Sequence, residues 1–135
     1  MKNTPFKKHT LSILTIFAAA VLLVSCSKNN DNNSKPSGKS HQLVFKAVAS
    51  AGSNIDQAVY GYDSNQTSAT SLSGTTWSSP AITVPAGTVE AVCDVTAFGT
   101  NASSTLQVQI YVDGTLVKTG TASGATLVGS VAYSF

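Results

Sequence analysis

From His41 onward, apolar and polar positions alternate with a period of two, the repeat of a strand with one buried face. Leu43, Phe45 and Ala47 alternate with Val44, Lys46 and Val48. Asp56 to Asp63 puts Ala58, Tyr60 and Tyr62 on one side of a second strand. Thr67 to Leu72 predicts a weaker, Thr- and Ser-rich strand. Ala81 to Val84 predicts a short one that Pro85-Ala86-Gly87 ends. The clearest strands follow: Val89, Ala91, Cys93, Val95 and Ala97 alternate with Glu90, Val92, Asp94 and Thr96, and Leu106, Val108, Ile110 and Val112 with Gln107, Gln109, Tyr111 and Asp113. Asp113-Gly114 comes next, a hairpin signal because a type I′ turn needs positive φ at both central residues. The return strand is expected from Thr115 to about Thr119. After a turn at Ala122-Ser123-Gly124, a last strand is expected over Leu127–Phe135, with Val131, Tyr133 and Phe135 on one face.

No stretch after Cys26 sustains a helical period. The expected class is all-β: a single antiparallel β-sandwich of about seven strands over residues 41–135, with Trp77 as a core plug. A small closed barrel is the alternative.

The pattern before His41 is different. Lys2, Lys7 and Lys8 precede an apolar run from Leu11 to Val24. Fourteen residues suit the apolar region of a signal peptide and fall short of the roughly 20 of a membrane-spanning helix. Residues 27–40 then read as Asn, Ser, Lys, Gly and Pro with one Asp and nothing large and apolar, the composition of a disordered linker. Fourteen such residues reach about 20 Å. The expected organisation is a signal peptide over 1–25, a modified cysteine and linker over 26–40, and a displayed domain over 41–135.

That division changes the meaning of the charge. The whole chain carries a formal +2, but three of its eight lysines lie before Cys26. From Cys26 onward five lysines face six acids, a net −1, and there is no arginine. Nucleic acid, which needs a cationic footprint, is therefore not an expected partner.

Leu23-Val24-Ser25-Cys26 resembles the bacterial lipobox: an aliphatic residue, a tolerant position, a small residue and a cysteine. The resemblance implies cleavage between Ser25 and Cys26 and lipidation of the Cys26 thiol, with a further acyl group on the new amine. Two or more acyl chains hold a protein stably on a membrane, at about 0.8 kcal/mol per buried CH₂. The expected place is the cell envelope, lipid-anchored on the outer membrane, at its periplasmic face or the cell surface. Ser27-Lys28-Asn29-Asn30-Asp31 is similar to a weakened version of the charged stretch that routes some lipoproteins outward.

Tyr60-Gly61-Tyr62, Trp77-Ser78, Val84-Pro85-Ala86-Gly87, Val89 to Ala97, Gln107 to Gly114 and Ala132-Tyr133-Ser134-Phe135 together resemble the C-terminal domain of the MmpS family of small envelope proteins. That resemblance implies an immunoglobulin-like β-sandwich and an accessory role beside a large envelope transporter. Its motifs are turn and core features, which specify a fold rather than a site. The chain departs from the family in carrying a lipoprotein-type leader in place of a transmembrane helix. Val108 also stands where some members have a disulfide cysteine.

Candidate chemistry is sparse. His41 is the one histidine after Cys26, and no Ser-His-Asp set or zinc-spaced ligand group can be assembled from the sequence. Asp56 and Asp63, or Glu90 and Asp94, read as solvated strand and turn acids, and Asp63-Ser64-Asn65 as a turn rather than a calcium loop. Cys93 falls in the inward register between Ala91 and Val95 and reads as a small core residue. No catalysis and no cofactor are expected. Tyr60, Tyr62 and Tyr111 are the candidate surface for a protein partner or a carbohydrate. The expected function is that of a non-catalytic, membrane-anchored accessory or protein-binding lipoprotein, with a carbohydrate-binding module as the alternative.

Overall fold

The computed structural model describes residues 38–135. The leader over 1–25, the Leu23-Val24-Ser25-Cys26 motif and the linker up to residue 37 lie outside the described residues. The described residues are all-β. The strands are β1 (His41–Ala49), β2 (Asn54–Tyr62), β3 (Asn65–Ala69), β4 (Thr76–Ser78), β5 (Ile82–Val84), β6 (Glu90–Phe98), β7 (Thr105–Val112), β8 (Thr115–Ser123) and β9 (Thr126–Ser134). They form two antiparallel sheets. The first has the order β4-β1-β7-β8, with β5 also on β1, and the second β3-β2-β6-β9. This is the two-layer sandwich that the alternation predicts.

Nine strands stand where about seven were expected, and one of the additional strands comes from a split edge. β4 pairs with the second half of β1 and β5 with the first half. Between them Pro80 removes a ladder donor. Ser79 covers the gap: its N–H donates to the Phe45 carbonyl at 2.9 Å, and its hydroxyl accepts the Phe45 N–H at 3.0 Å. The same hydroxyl donates to the Pro80 carbonyl at 2.8 Å. A buried serine thus keeps the strand beside the core fully bonded where the edge breaks.

The inward positions are those of the period-two pattern. Leu43, Phe45 and Ala47 on β1, Leu106, Val108 and Ile110 on β7, and Ala91, Cys93, Val95 and Ala97 on β6 are all fully buried. Two departures have local causes. The register of β2 shifts between Ile55 and Gln57, so that Ile55 and Ala58, three apart, both point inward. This is a bulge, which alternation cannot show in advance. Trp77 is only half-buried, because β4 is a three-residue edge strand; the largest fully buried side chain is Phe45. At the end of β9, Phe135 leaves the core face and is 40% exposed.

The two layers touch closely through β7 and β9. A Cβ on Gly129 would lie 2.6 Å from Val108 Cγ2 and 3.1 Å from Leu106 Cδ2. Val108 is buried and stiff at χ1, so it cannot swing away. Adding a methyl to a strand glycine ordinarily stabilises by restricting the unfolded chain. Here overpacking wins, and Gly129→Ala is expected to lower unfolding stability by about 1–3 kcal/mol, read as a lower urea midpoint at unchanged slope. Phe45→Ala is expected to cost about 3–5 kcal/mol.

Candidate functional site

The three candidate tyrosines do not form one surface. Beyond the bulge, Ala58, Tyr60 and Tyr62 face inward, opposite Val95, Cys93 and Ala91 of β6. Tyr60 is 6% exposed, its ring centroid 5.5 Å from that of Phe45 and 5.1 Å from that of Trp77. It is a core residue and is withdrawn from any binding strip. Tyr62 is half-buried on the same inner face. Tyr111 alone lies on an outer face, that of the first sheet.

Around Tyr111 the outer positions of β7 form a row. The Tyr111 hydroxyl donates to Gln109 Oε1 at 3.2 Å, and Gln109 Nε2 donates to Gln107 Oε1 at 2.8 Å. Lys46, on the neighbouring β1, places its Nζ 4.5 Å from the Tyr111 ring centroid, within cation–π range. Sequence alternation puts Gln107, Gln109 and Tyr111 on one face, but only the β1–β7 register brings Lys46 beside them. At the Gln107 end the row opens into a groove of about 380 Å³ between β7 and β8, lined by Thr105, Leu106, Gln107, Thr121, Ala122 and Ser123.

A second cluster sits at the opposite end of the sandwich, where the chain enters β1. Asp113, at the β7–β8 turn, accepts the Gln42 N–H on Oδ1 at 2.9 Å and meets His41 Nδ1 on Oδ2 at 2.8 Å. Its own N–H donates to the Gln42 carbonyl at 2.8 Å. Lys39 Nζ stands 3.8 Å from Oδ2. Lys39 was expected in the linker, yet its side chain reaches this turn. Asp113 and Gly114 have φ of 49° and 80°, as the hairpin signal predicts. The Gln42 backbone bond and then the His41 bond hold the Asp113 carboxyl below the usual carboxylate range. The His41 ring packs 5.3 Å from Phe135, which meets Tyr133 edge-on at 5.2 Å.

This His–Asp pair lies beside a smaller cleft that includes Thr88. The Thr88 hydroxyl donates to the Pro85 carbonyl at 2.9 Å, so it is not aligned toward His41 as a nucleophile. Asp63 is also structural: Oδ1 accepts the N–H groups of Val89 and Glu90, both at 3.0 Å. Asp56 on β2 and Asp63 in the turn that follows it are seven residues apart, about 23 Å along extended chain, beyond the reach of paired glycosidase carboxylates. Asp94 accepts a hydrogen bond from Ser130 on the outer face of the second sheet. Among the described residues no three His, Cys, Asp or Glu side chains gather as a metal site. Burial, with Asp94 adding to it, pushes the Cys93 thiol up to about 12.

The domain therefore has two unlike ends. One holds residue 38, the Asp63 and Asp113 turns and Phe135. The other holds the connections at 50–53, 70–75, 99–104 and 124–125, with the β7–β8 groove beside them. No protein-family model matches this chain, and no curated protein matches it.

Asp113 has a lower pKa folded than unfolded. Its contribution to stability is therefore full above the ordinary carboxylate range and is lost as pH falls through the folded value. Acid titration of unfolding is expected to show this loss in the natural chain and not in Asp113→Asn. Cys93, in a Cys26→Ser background, is expected to resist maleimide at pH 8 and to react on unfolding in urea. Rapid labelling of the folded chain would contradict its place in the core.

Proposed function

We propose that the chain is an envelope lipoprotein, lipidated at Cys26, that displays its β-sandwich as a non-catalytic binding domain. The single observation that carries this reading is the polarity of the domain. The chain enters at one end, where Lys39 and His41 meet Asp113 beside the C-terminal Phe135. The groove and the four loop connections lie at the other. A domain attached at one end and open at the other suits presentation to a partner from a surface.

The leader supports the anchor: three lysines, an apolar run too short to span a bilayer, then Leu23-Val24-Ser25-Cys26. Residues 27–40 serve in this reading as the tether. The outer face of the first sheet mixes Tyr111, Lys46 and two glutamines with Val48 and Leu116, each 45% exposed. Aromatic, amide and aliphatic groups together are the composition of a contact surface with a hydrogen-bonding rim. The MmpS resemblance adds a large envelope transporter as the protein partner to look for first.

Cys26→Ala is the test of the anchor. Loss of lipid labelling and retention of an uncleaved precursor are expected, whereas normal processing would overturn it. For the display role, in-cell cross-linking through Lys46 is expected to trap the chain with another envelope component. Recovery of the monomer alone would count against a protein partner.

A further inference from the structure

We propose that the groove at the loop-bearing end of β7 and β8, with the amide row that runs into it, is a binding site for a neutral oligosaccharide. The proposal rests on the display reading only for access to ligand. Its chemistry stands on the groove itself.

The register builds the site. Thr105 pairs with Ser123 and Gln107 with Thr121, so two cross-strand pairs put three hydroxyls and one carboxamide on a single face. Hydroxyl and carboxamide groups both donate and accept hydrogen bonds, as sugar hydroxyls do. No ionisable side chain lines the groove. An anionic or cationic ligand would lose hydration there without meeting an opposite charge. On the other flank Val48 of β1 pairs with Gln107 and is 45% exposed. The same row thus offers an apolar contact for the C–H face of a pyranose beside donors and acceptors for its rim.

The amide is also held in place. A free glutamine side chain has several rotamers to lose on binding. Here the Tyr111 hydroxyl bonds Gln109 and Gln109 bonds the Gln107 oxygen, which favours one position of the Gln107 carboxamide in advance. In that row the Gln107 nitrogen takes no part, and it remains as a donor at the groove. Pre-setting a polar group lowers the ordering cost of binding. The volume, about 380 Å³, is in the range of small-ligand sites. A protein partner would need a deep apolar pocket for an anchoring side chain, whereas Leu106 and Ala122 pair on the opposite, inward parity, with Leu106 fully buried, and leave the groove's outer side polar. Tyr111 is in this scheme a positioning residue. It acts through Gln109 and lies four residues, about 13 Å, from Gln107 along the strand.

The test is an array of neutral and acidic glycans probed with the purified full-length chain in detergent, followed by calorimetric titration of the retained glycans. Retention of neutral glycans with little dependence on salt is expected. Gln107→Ala is expected to weaken binding about fivefold to tenfold, the worth of one hydrogen bond and its ordering, and Thr121→Val by a similar factor. Tyr111→Phe keeps the ring and loses the row's first donor, so a smaller loss is expected. Gln66→Ala, on the exposed edge of the other sheet, is expected to bind as the natural chain does. An unchanged far-UV spectrum and unfolding midpoint show that each variant is folded. An array with no neutral glycan retained would overturn the proposal. So would a salt-sensitive preference for acidic glycans, or equal binding by Gln107→Ala. Failure of lipid labelling at Cys26 bears on the display reading alone, because the array uses purified protein.

Discussion

The contact on which the rest depends is the aromatic bridge between the layers. Phe45 and Trp77 come from the first sheet and Tyr60 from the second, with successive ring centroids 5.5 Å and 5.1 Å apart. Tilted aromatic pairs contribute roughly 0.5–1.5 kcal/mol each beyond the area they bury. Their larger effect is on register. Tyr60 faces inward only because the bulge after Ile55 resets the parity of β2. Phe45 is held on the core face by the β1–β7 ladder, opposite Ile110, and Ser79 bonds its backbone on the other side where Pro80 interrupts the edge. A slip of one residue at either place would turn these rings to solvent and the polar outer row into the core.

A second constraint works at one end of the sandwich. The two hairpin turns use the same device. Asp63 and Asp113 both adopt positive φ, and the carboxylate of each accepts backbone N–H groups at the start of a neighbouring strand. Asp63 ties the β2–β3 turn to β6, and Asp113 ties the β7–β8 turn to β1. Aspartate tolerates the left-handed region better than most residues, and its carboxylate is a strong acceptor. Asp63, which as sequence reads as a solvated turn acid, and Asp113, which reads as a hairpin-turn residue, are therefore both structural clamps. With His41 and Lys39 gathered on the second, this end is committed to holding the chain where it enters.

Much of this was legible in the sequence. The inward series on β1, β6 and β7, the inward Cys93 and the Asp113-Gly114 turn follow from period-two alternation and from the φ demands of a type I′ turn. The split edge was not legible, because Trp77-Ser78 and Ile82 to Val84 belong to one strand position only through their shared pairing with β1. Nor was the fate of Tyr60: from parity within β2 alone either face could have been the buried one. The pairing of Lys46 with Tyr111 and the meeting of His41 with Asp113 join residues 65 and 72 positions apart. Such contacts depend on sheet order, and local pattern carries no information about it. Gln107, Gln109, Thr121 and Ser123 carry no distinguishing sequence signal, because polar outward residues on a strand are what any half-buried sheet shows.

The binding face we propose is the outer face of the first sheet rather than that of the second. The core takes every inward position, so recognition is left to the outward ones and the loops. These differ in kind between the layers. Strands β6 and β9 present outward two acids, Glu90 and Asp94, the latter tied to Ser130, beside Thr96 and the exposed apolar Phe98 and Val128. Strands β1 and β7 present Lys46, Gln107, Gln109 and Tyr111, longer side chains already linked to one another. Linked side chains have less freedom to lose when a ligand arrives, and long amides reach further from the sheet than threonine or serine. On the first sheet's face, part of the ordering cost of the proposed recognition is thus met in folding.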